Sequence, residues 1–486
     1  MINNINSLFT LARASFAWSI ILKFVQQFYS LLVTIFAARL LGPQVFGDMA
    51  IAMALVVYLN SLTSFGMNNS IIYAENIEKI QVDVLFTFNI LLSAALAFAV
   101  IVLSNEISTF FNSKALGEIL PVLSLILPLS TFYNLPMALL RKQLNFKLHS
   151  IVDFVQYIFS SSLLFVMVVN DFGIWSLVIS QLSGYTLSVL VLFIFYNWRP
   201  CFNFNFFELD KLVDYALWDF IRYNVNFFDS YISYFVSGKF IGTFMVGLYD
   251  RAISFLTIFE RIFQIQINAI FFSAYSRLKN DKSKLIAVFE AGLFFQLLIC
   301  TPIFVGIYLV VHHVVNIFLG EEWSLTVQIA QVLCFGAFFK MLSNYAKNFN
   351  ISTLSYKVQS IYDIICLSIN FCICLIFVQY GIFYVAVVSS VMYFFSSIVN
   401  FIIIMQVYKL NMFKIFKMLI LVFFLCAIIL VCNQIVNYLF YNFSNLSILI
   451  LKILFSFFSY IFIVLIFYNF ICYDFINSMI LQVKKI

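Results

Sequence analysis

The chain has 486 residues, of which 64% are hydrophobic and only 10% are Asp, Glu, Lys or Arg. Soluble domains carry roughly 25% charged residues, so a soluble enzyme of this size is excluded, and a formal charge of +6 is too small to point to nucleic acid. Spans of about 20 apolar residues fit at most roughly 15 times into this content, which leaves no room for a globular domain outside the membrane.

In chain order, apolar runs between short polar loops predict spans at 16–38, 47–70, 82–103, 117–138, 150–169 and 173–195. A second series follows at 212–237, 245–273, 285–311, 325–347, 358–379 and 382–407, and 415–437 and 446–471 make fourteen. Strand-like alternation is absent, since Leu419–Val431 is apolar on every face. Residues before Ser15 carry one Arg and no small-residue cleavage site, so the first run reads as an uncleaved span. Pro121, Pro128, Pro136 and Pro302 lie in or beside spans and read as kinks. The nine cysteines form no C-x-x-C pair and read as small buried hydrophobes. With no HExxH, GxGxxG or P-loop, neither a catalytic constellation nor a metal or cofactor site is expected.

Lys and Arg set the orientation, because they concentrate on the cytoplasmic side. With a cytoplasmic N-terminus, eighteen fall in cytoplasmic segments, three (Arg39, Lys114, Lys239) outside, and six within spans. Both termini are then cytoplasmic. The cluster Arg141, Lys142 and Lys147 reads as a topology anchor near anionic lipid.

Trp18, Arg39, Gly42 and Gly47 recur 200 residues later as Trp218, Lys239, Gly242 and Gly247. Gly173-Ile174-Trp175 recurs as Gly381-Ile382-Phe383 after 208 residues. Each unit holds an even number of spans, so the two enter the membrane in the same sense, as parallel repeats with a site between them. The expected organisation is an N-terminal lobe at 1–205, a C-terminal lobe at 206–410, and two further spans at 411–486.

A charge at the bilayer centre costs about 2.5–3.5 kcal/mol even on a lenient scale. Lys23, Arg222, Arg251, Arg261 and Lys340 therefore need a cavity, a partner or an interface, and Arg251 lies near enough to a span end to snorkel. At about 100° per residue, Ser19, Lys23, Gln26, Gln27, Ser30 and Thr34 share one face of the first span. Tyr215, Asp219, Arg222, Asn226, Asp229, Ser233 and Ser237 share one face of the seventh. Asp250, Ser254, Thr257, Arg261, Gln264 and Asn268 do so in the eighth. Three such faces predict an aqueous cleft; the alternative is interhelical hydrogen bonding. An ion pair with Asp219 or Asp229 is an alternative for Arg222, whereas Lys23 has no carboxylate in its own span. His312 and His313 read as a solvated pair near the outer mouth of the ninth span, with proton sensing the rival reading. Asp153, Glu290 and Asp363 read as interfacial charges.

Ala37-Ala38-Arg39-Leu40-Leu41-Gly42-Pro43-Gln44-Val45-Phe46-Gly47 resembles the "AR-LG-P-x-x-FG" turn of bacterial Wzx-type polysaccharide flippases, members of the multidrug/oligosaccharidyl-lipid/polysaccharide exporter superfamily. Asp229, Gly238 to Gly242 and Gly247 to Ala252 resemble that family's "D…GK-LG…-G-Y-x-x-A" segment. Phe271 to Leu278 resembles its "LFPA-x-SRL" stretch, with Ser273 where Pro is usual, and Leu120-Pro121, Arg141 and Lys147 also fit. The resemblance covers about residues 15–280.

It implies a two-lobed bundle that moves undecaprenyl-diphosphate-linked oligosaccharide across the inner membrane by alternating access, beside a polysaccharide polymerase and a chain-length regulator. Lys23, Arg222 and Arg261, with Gln26, Asn226 and Gln264, would then line the diphosphate and glycan path. Asp219, Asp229 and Glu290 are candidates for coupling to H+ or Na+. A drug or toxin exporter of the same superfamily would need an acidic pocket, for which Asp219 and Asp229 are the candidates. A membrane polysaccharide polymerase would be expected to need a sizeable periplasmic loop, and no predicted outer loop exceeds about 15 residues.

Overall fold

Helix boundaries follow from local chemistry. Ser113, Asn145 and Asp281 each offer a side-chain oxygen to the amide three residues on, at 3.4, 3.2 and 3.2 Å, the N-cap arrangement that satisfies an otherwise orphaned donor. Glu78 and Gln81 form a reciprocal capping box, which starts a helix of 33 residues.

The computed structural model describes residues 2–64, 71, 77–143, 145–260, 264, 267–268, 271, 274–275, 278, 281–353, 356–410, 412–440 and 445–466; the side chains of 2–21, 64, 208–219, 356–358, 412, 445 and 463–466 lie outside this description. Fourteen α-helices are described. In the first half they are α1 (Ile2–Ser64), α2 (Lys79–Phe111), α3 (Lys114–Leu123), α4 (Ile126–Lys142), α5 (Phe146–Val169), α6 (Ile174–Phe195) and α7 (Asp210–Phe240). There follow α8 (Thr243–Phe259), α9 (Lys282–Val314), α10 (Ser324–Thr353), α11 (Tyr356–Phe377), α12 (Ile382–Tyr408), α13 (Met412–Leu439) and α14 (Asn445–Ile466). Among the described residues there is no strand, and nine helical stretches are long and apolar enough to cross a membrane, or ten if the bent pair α3–α4 is one span. The protein is an all-helical, multi-pass membrane protein.

The predicted spans map onto these helices in order. The first two are joined in α1 across a break at Gly42 (φ 75°, ψ 171°), just before Pro43. Positive φ costs a side chain steric strain that glycine avoids. Gly242, the repeat equivalent of Gly42, has φ 92° and separates α7 from α8 in the same way. The fourth predicted span is two helices bent by 41° at Ser124–Leu125, between Pro121 and Pro128. Proline lacks the amide that would continue the ladder, and Leu127 instead donates to the Ser124 carbonyl at 3.0 Å.

Two compact units divide between Gly247 and Leu248. In the first, α1 packs along α5 and α7, α5 along α6, and α2 against α3 and α4. Phe86, Leu85, Val82 and Leu135 form a core there, with a second layer of Met137, Leu140, Val152 and Leu192. In the second, α10 and α12 make the most extensive pairing, and the hairpin α13–α14 leans on α9. Gly336 permits the close approach of α10 and α12, since a Cβ there would stand 2.9 Å from Ser390 Cα. Tyr345 donates to the Phe289 carbonyl at 2.8 Å and packs with Tyr275 and Phe349 into a buried aromatic core.

Candidate functional site

In the first unit, α1 carries Lys23 and Gln26, and α7, which packs on it, carries Arg222, Asn226 and Asp229. Lys23 and Asn226 are exposed, Arg222 and Asp229 partly so, and Gln26 is buried at 8% exposure. Arg222, Asn226 and Asp229 each interact with other groups. The backbone of Asp219 belongs to α7, but its side chain lies outside the described residues.

Lys23 is different. Among the described residues it has neither a hydrogen bond nor an ion pair. Both Lys23 and Arg141 lie within electrostatic reach of His149. The carboxylate beside them, Asp153, is occupied: it accepts from Tyr133 Oη at 2.6 Å and lies 3.5 Å from His149 Nδ1. Asp153, read from sequence as an interfacial charge, thus also carries hydrogen-bond partners within the protein. The sequence placed Lys23 on a polar stripe and Arg141 in a topology anchor, and nothing in a single helical projection brings them together. The packing of α1 and α4 on α5 brings both within electrostatic reach of His149. Two cations on different helices, neither of them in an ion pair among the described residues, suit an anionic ligand, for which charge-assisted hydrogen bonds are the stronger kind.

In the second unit several charges among the described residues are paired with carboxylates. Lys340 pairs with Glu260 at 3.3 Å, a partner that the helical projections did not identify. Arg251 pairs with its neighbour Asp250 at 2.5 Å, so its charge is met by a carboxylate as well as by any interface. Glu290, at 6% exposure, accepts from Lys414. Lys347 pairs with Asp363 at 2.9 Å, and Asp363 also accepts from Gln359 at 3.0 Å. Gln264 is buried at 3% exposure; Arg261 lies outside the described residues. His312 and His313 are not a loop pair: they form the last turn of α9, and His313 meets Lys452, a buried in-span cation that the stripe reading did not single out.

Burying an ion costs several kcal/mol unless geometry and hydrogen bonds compensate. Among the described residues, Arg251, Lys340, Lys347 and Lys414 of the second unit each meet a carboxylate, whereas Lys23 and Arg141 of the first are in no ion pair.

Comparison with known proteins agrees with this fold. A family model described as polysaccharide biosynthesis protein matches residues 36–328. The lipopolysaccharide biosynthesis protein WzxC of Escherichia coli K12 is 22% identical over 63% of this chain and 63% of its own length. The succinoglycan biosynthesis transport protein ExoT of Rhizobium meliloti is 18% identical over 59% of this chain and 58% of its own. The match thus spans less than two thirds of either relative. Among solved structures, the lipid II flippase MurJ in an inward closed conformation superposes with a TM-score of 0.68 at 18% identity, covering 96% of this chain and all of that one. An inward-facing multidrug transporter of the MATE family superposes with a TM-score of 0.62 at 13% identity, over 80% of this chain and 98% of its own.

Proposed function

The chain belongs to the polysaccharide biosynthesis protein family, and from that premise we propose that it is a flippase for lipid-linked oligosaccharide. The cargo is an undecaprenyl-diphosphate-linked repeat unit, carried from the cytoplasmic to the outer leaflet of the inner membrane for surface polysaccharide assembly. The observation that carries this reading is that Lys23 of α1 and Arg141 of α4 both lie within electrostatic reach of His149 and, among the described residues, neither is in an ion pair. A diphosphate needs cations that are not already bound to carboxylates, and these two fit that need.

Sugar hydroxyls stripped of water without partners cost kcal/mol each, so the glycan needs a polar route. Gln26, Arg222, Asn226, Arg261 and Gln264 are the side chains assigned to it, and the prenyl tail stays in lipid. Lobes 1–205 and 206–410 would rock in alternating access, with both termini cytoplasmic. Release outward is driven by an ion gradient, H+ or Na+, or by a polymerase consuming the product. A ligand biases two states only through its differential affinity for them, and Asp219, Asp229 and Glu290 are the carboxylates assigned to that role. Glu290 would first have to leave Lys414.

The test is genetic and chemical together. Deleting the gene should cause lipid-linked repeat units to accumulate in the cytoplasmic leaflet and surface polymer to disappear. Restoring the chain with Lys23→Ala or Arg141→Ala, at matched expression, should restore polymer only partly. Full surface polymer in the deletion strain would overturn the reading.

A further inference from the structure

Lys452 lies in α14, a helix of otherwise apolar character, at 5% exposure. Its Nζ is 2.7 Å from Nε2 of His313, at the end of α9. Two bases at that distance fix the number of protons they hold. An ammonium has three donors and no acceptor, and a doubly protonated imidazole has only donors. The hydrogen bond therefore exists only while one nitrogen keeps its lone pair. Lysine is the stronger base, which makes the Lys452 ammonium the donor and neutral His313 the acceptor. The pair thus holds the imidazole lone pair against a buried positive charge, where a further proton would compete with the hydrogen bond.

Among the described residues, the charged or titratable groups that bear on His313 are Lys452, from α14, and His312, on its own helix. Tyr460 of α14 donates to the Leu298 carbonyl of α9, and α13 contributes Cys426 and Asn433. None of these is a carboxylate that could absorb a second positive charge. Asn433, at 1% exposure, donates to Ser456 Oγ at 2.7 Å, while its own Oδ1 is buried with no hydrogen-bond partner among the described residues. Ser456 is one turn beyond Lys452 in α14 and accordingly on its face.

We propose that His313 and Lys452 form a proton-binding site that fastens α14 to α9 and lets go when it takes a second proton. The arriving proton adds to His313 Nε2, the N···N hydrogen bond breaks, and no other bond is made or lost. Both groups are then cationic, and they separate. In the orientation proposed above, His313 faces the outer side, so the proton comes from the compartment that an energised membrane keeps acidic. The site is distinct from the carboxylates assigned to coupling, and the binding step does not depend on which cargo is carried.

The full chain in lipid nanodiscs tests this without substrate. It has three histidines, His149, His312 and His313, so 15N-histidine NMR is assignable with one substitution at a time. At neutral pH His313 should be neutral with Nε2 accepting, and acidification should protonate it. Over the same range, hydrogen exchange corrected for intrinsic pH dependence should show protection of the α14 amides falling at least tenfold. His313→Gln keeps an acceptor for Lys452 and cannot titrate, so protection should persist in acid. Lys452→Met removes the hydrogen bond, so protection should be low at both pH values. A doubly protonated His313 at neutral pH, or an equal acid response in wild type and the Gln variant, would overturn the proposal. The NMR arm needs no variant at position 452 or 313 to fold. Failure here leaves the flippase reading standing, and failure of that reading leaves this site intact.

Discussion

Gly47 and Gly247 meet backbone to backbone. A Cβ built on Gly47 would stand 2.9 Å from the amide nitrogen of Gly247, and one on Gly247 would stand 3.0 Å from that of Gly47. Each added carbon would also overlap a carbonyl, that of Thr243 and that of Pro43 respectively. The two glycines are repeat equivalents, so the motif's recurrence in sequence corresponds to a contact between its two copies. Gln44 extends the junction by donating to Thr243 Oγ1, and Ser113 donates to buried Asp48 at 2.7 Å.

Because the obstructing atoms are backbone, neither rotamer changes nor side-chain shifts relieve an alanine here. Gly47→Ala and Gly247→Ala should each destabilise the protein by about 1–3 kcal/mol or more, the range for overpacking. The check is the midpoint of thermal unfolding in detergent, followed by size-exclusion profiles. Gly306, whose Cβ would meet nothing within 4 Å, is the control, and Gly306→Ala should leave the midpoint nearly unchanged.

Much of this fold was legible beforehand, for a physical reason. A span must be long, apolar and helical, so hydropathy alone places α5, α6, α9 and α11 to α13 within a few residues, while α2 and α10 run eight and six residues past their predicted ends. The glycine punctuation was legible too, since Gly42 and Gly242, and likewise Gly173 and Gly381, share positive φ as well as sequence context. Partner choice was not legible. Glu260 and Lys340, or Glu290 and Lys414, are far apart in sequence, and a projection of one helix says which face is polar but not which helix faces it. The candidate site shows the same limit. Lys23 stood out as a cation without a carboxylate in its span, but its neighbourhood with Arg141 and His149 depends on packing. Lys452 escaped because it is the sole charge in α14 and forms no stripe.

Lys23 and Arg141 should act additively on cargo affinity if both contact the diphosphate. A hydrogen bond to a charged group contributes about 1.5–3 kcal/mol, and solvent screening at these accessible positions moves the expectation to the low end. Each alanine substitution should then weaken binding about tenfold, since about 1.4 kcal/mol is one decade. Binding of radiolabelled lipid-linked oligosaccharide to purified protein measures this. Lys23→Arg should retain most of the affinity, and Lys23→Glu should lose more than Lys23→Ala.

Asp281 gives a pH dependence whose sign can be worked out. It caps α9, and the Ser283 hydroxyl, the Lys284 amide and the Lys284 ammonium hold its carboxyl below the usual carboxylate range. A depressed folded value means the stabilisation is fully present above the unfolded value of about 3.9 and is lost as pH falls through the folded one. Opening of the first turn of α9 should therefore increase below about pH 4 in wild type. Asp281→Ala should show that increased opening at neutral pH and little further change in acid. Hydrogen exchange at the amides of Ser283, Lys284 and Leu285 reports it directly.

The pair Lys347–Asp363 offers the sharpest separation between a bond that stabilises and one that merely balances a charge. Both side chains are mostly buried, at 19% and 10% exposure, and Asp363 is fixed further by Gln359. Removing one member leaves the other as an uncompensated ion, a loss of about 3–5 kcal/mol in buried pairs. Removing both discards the desolvation cost along with the attraction, which is often close to neutral. Lys347→Met and Asp363→Leu should therefore each lower the unfolding midpoint strongly, and the double variant should recover most of the loss. A double variant as unstable as the sum of the singles would mean that the two residues stabilise the protein through separate contacts, with Gln359 and the rest of the α10–α12 network doing what the ion pair is credited with here.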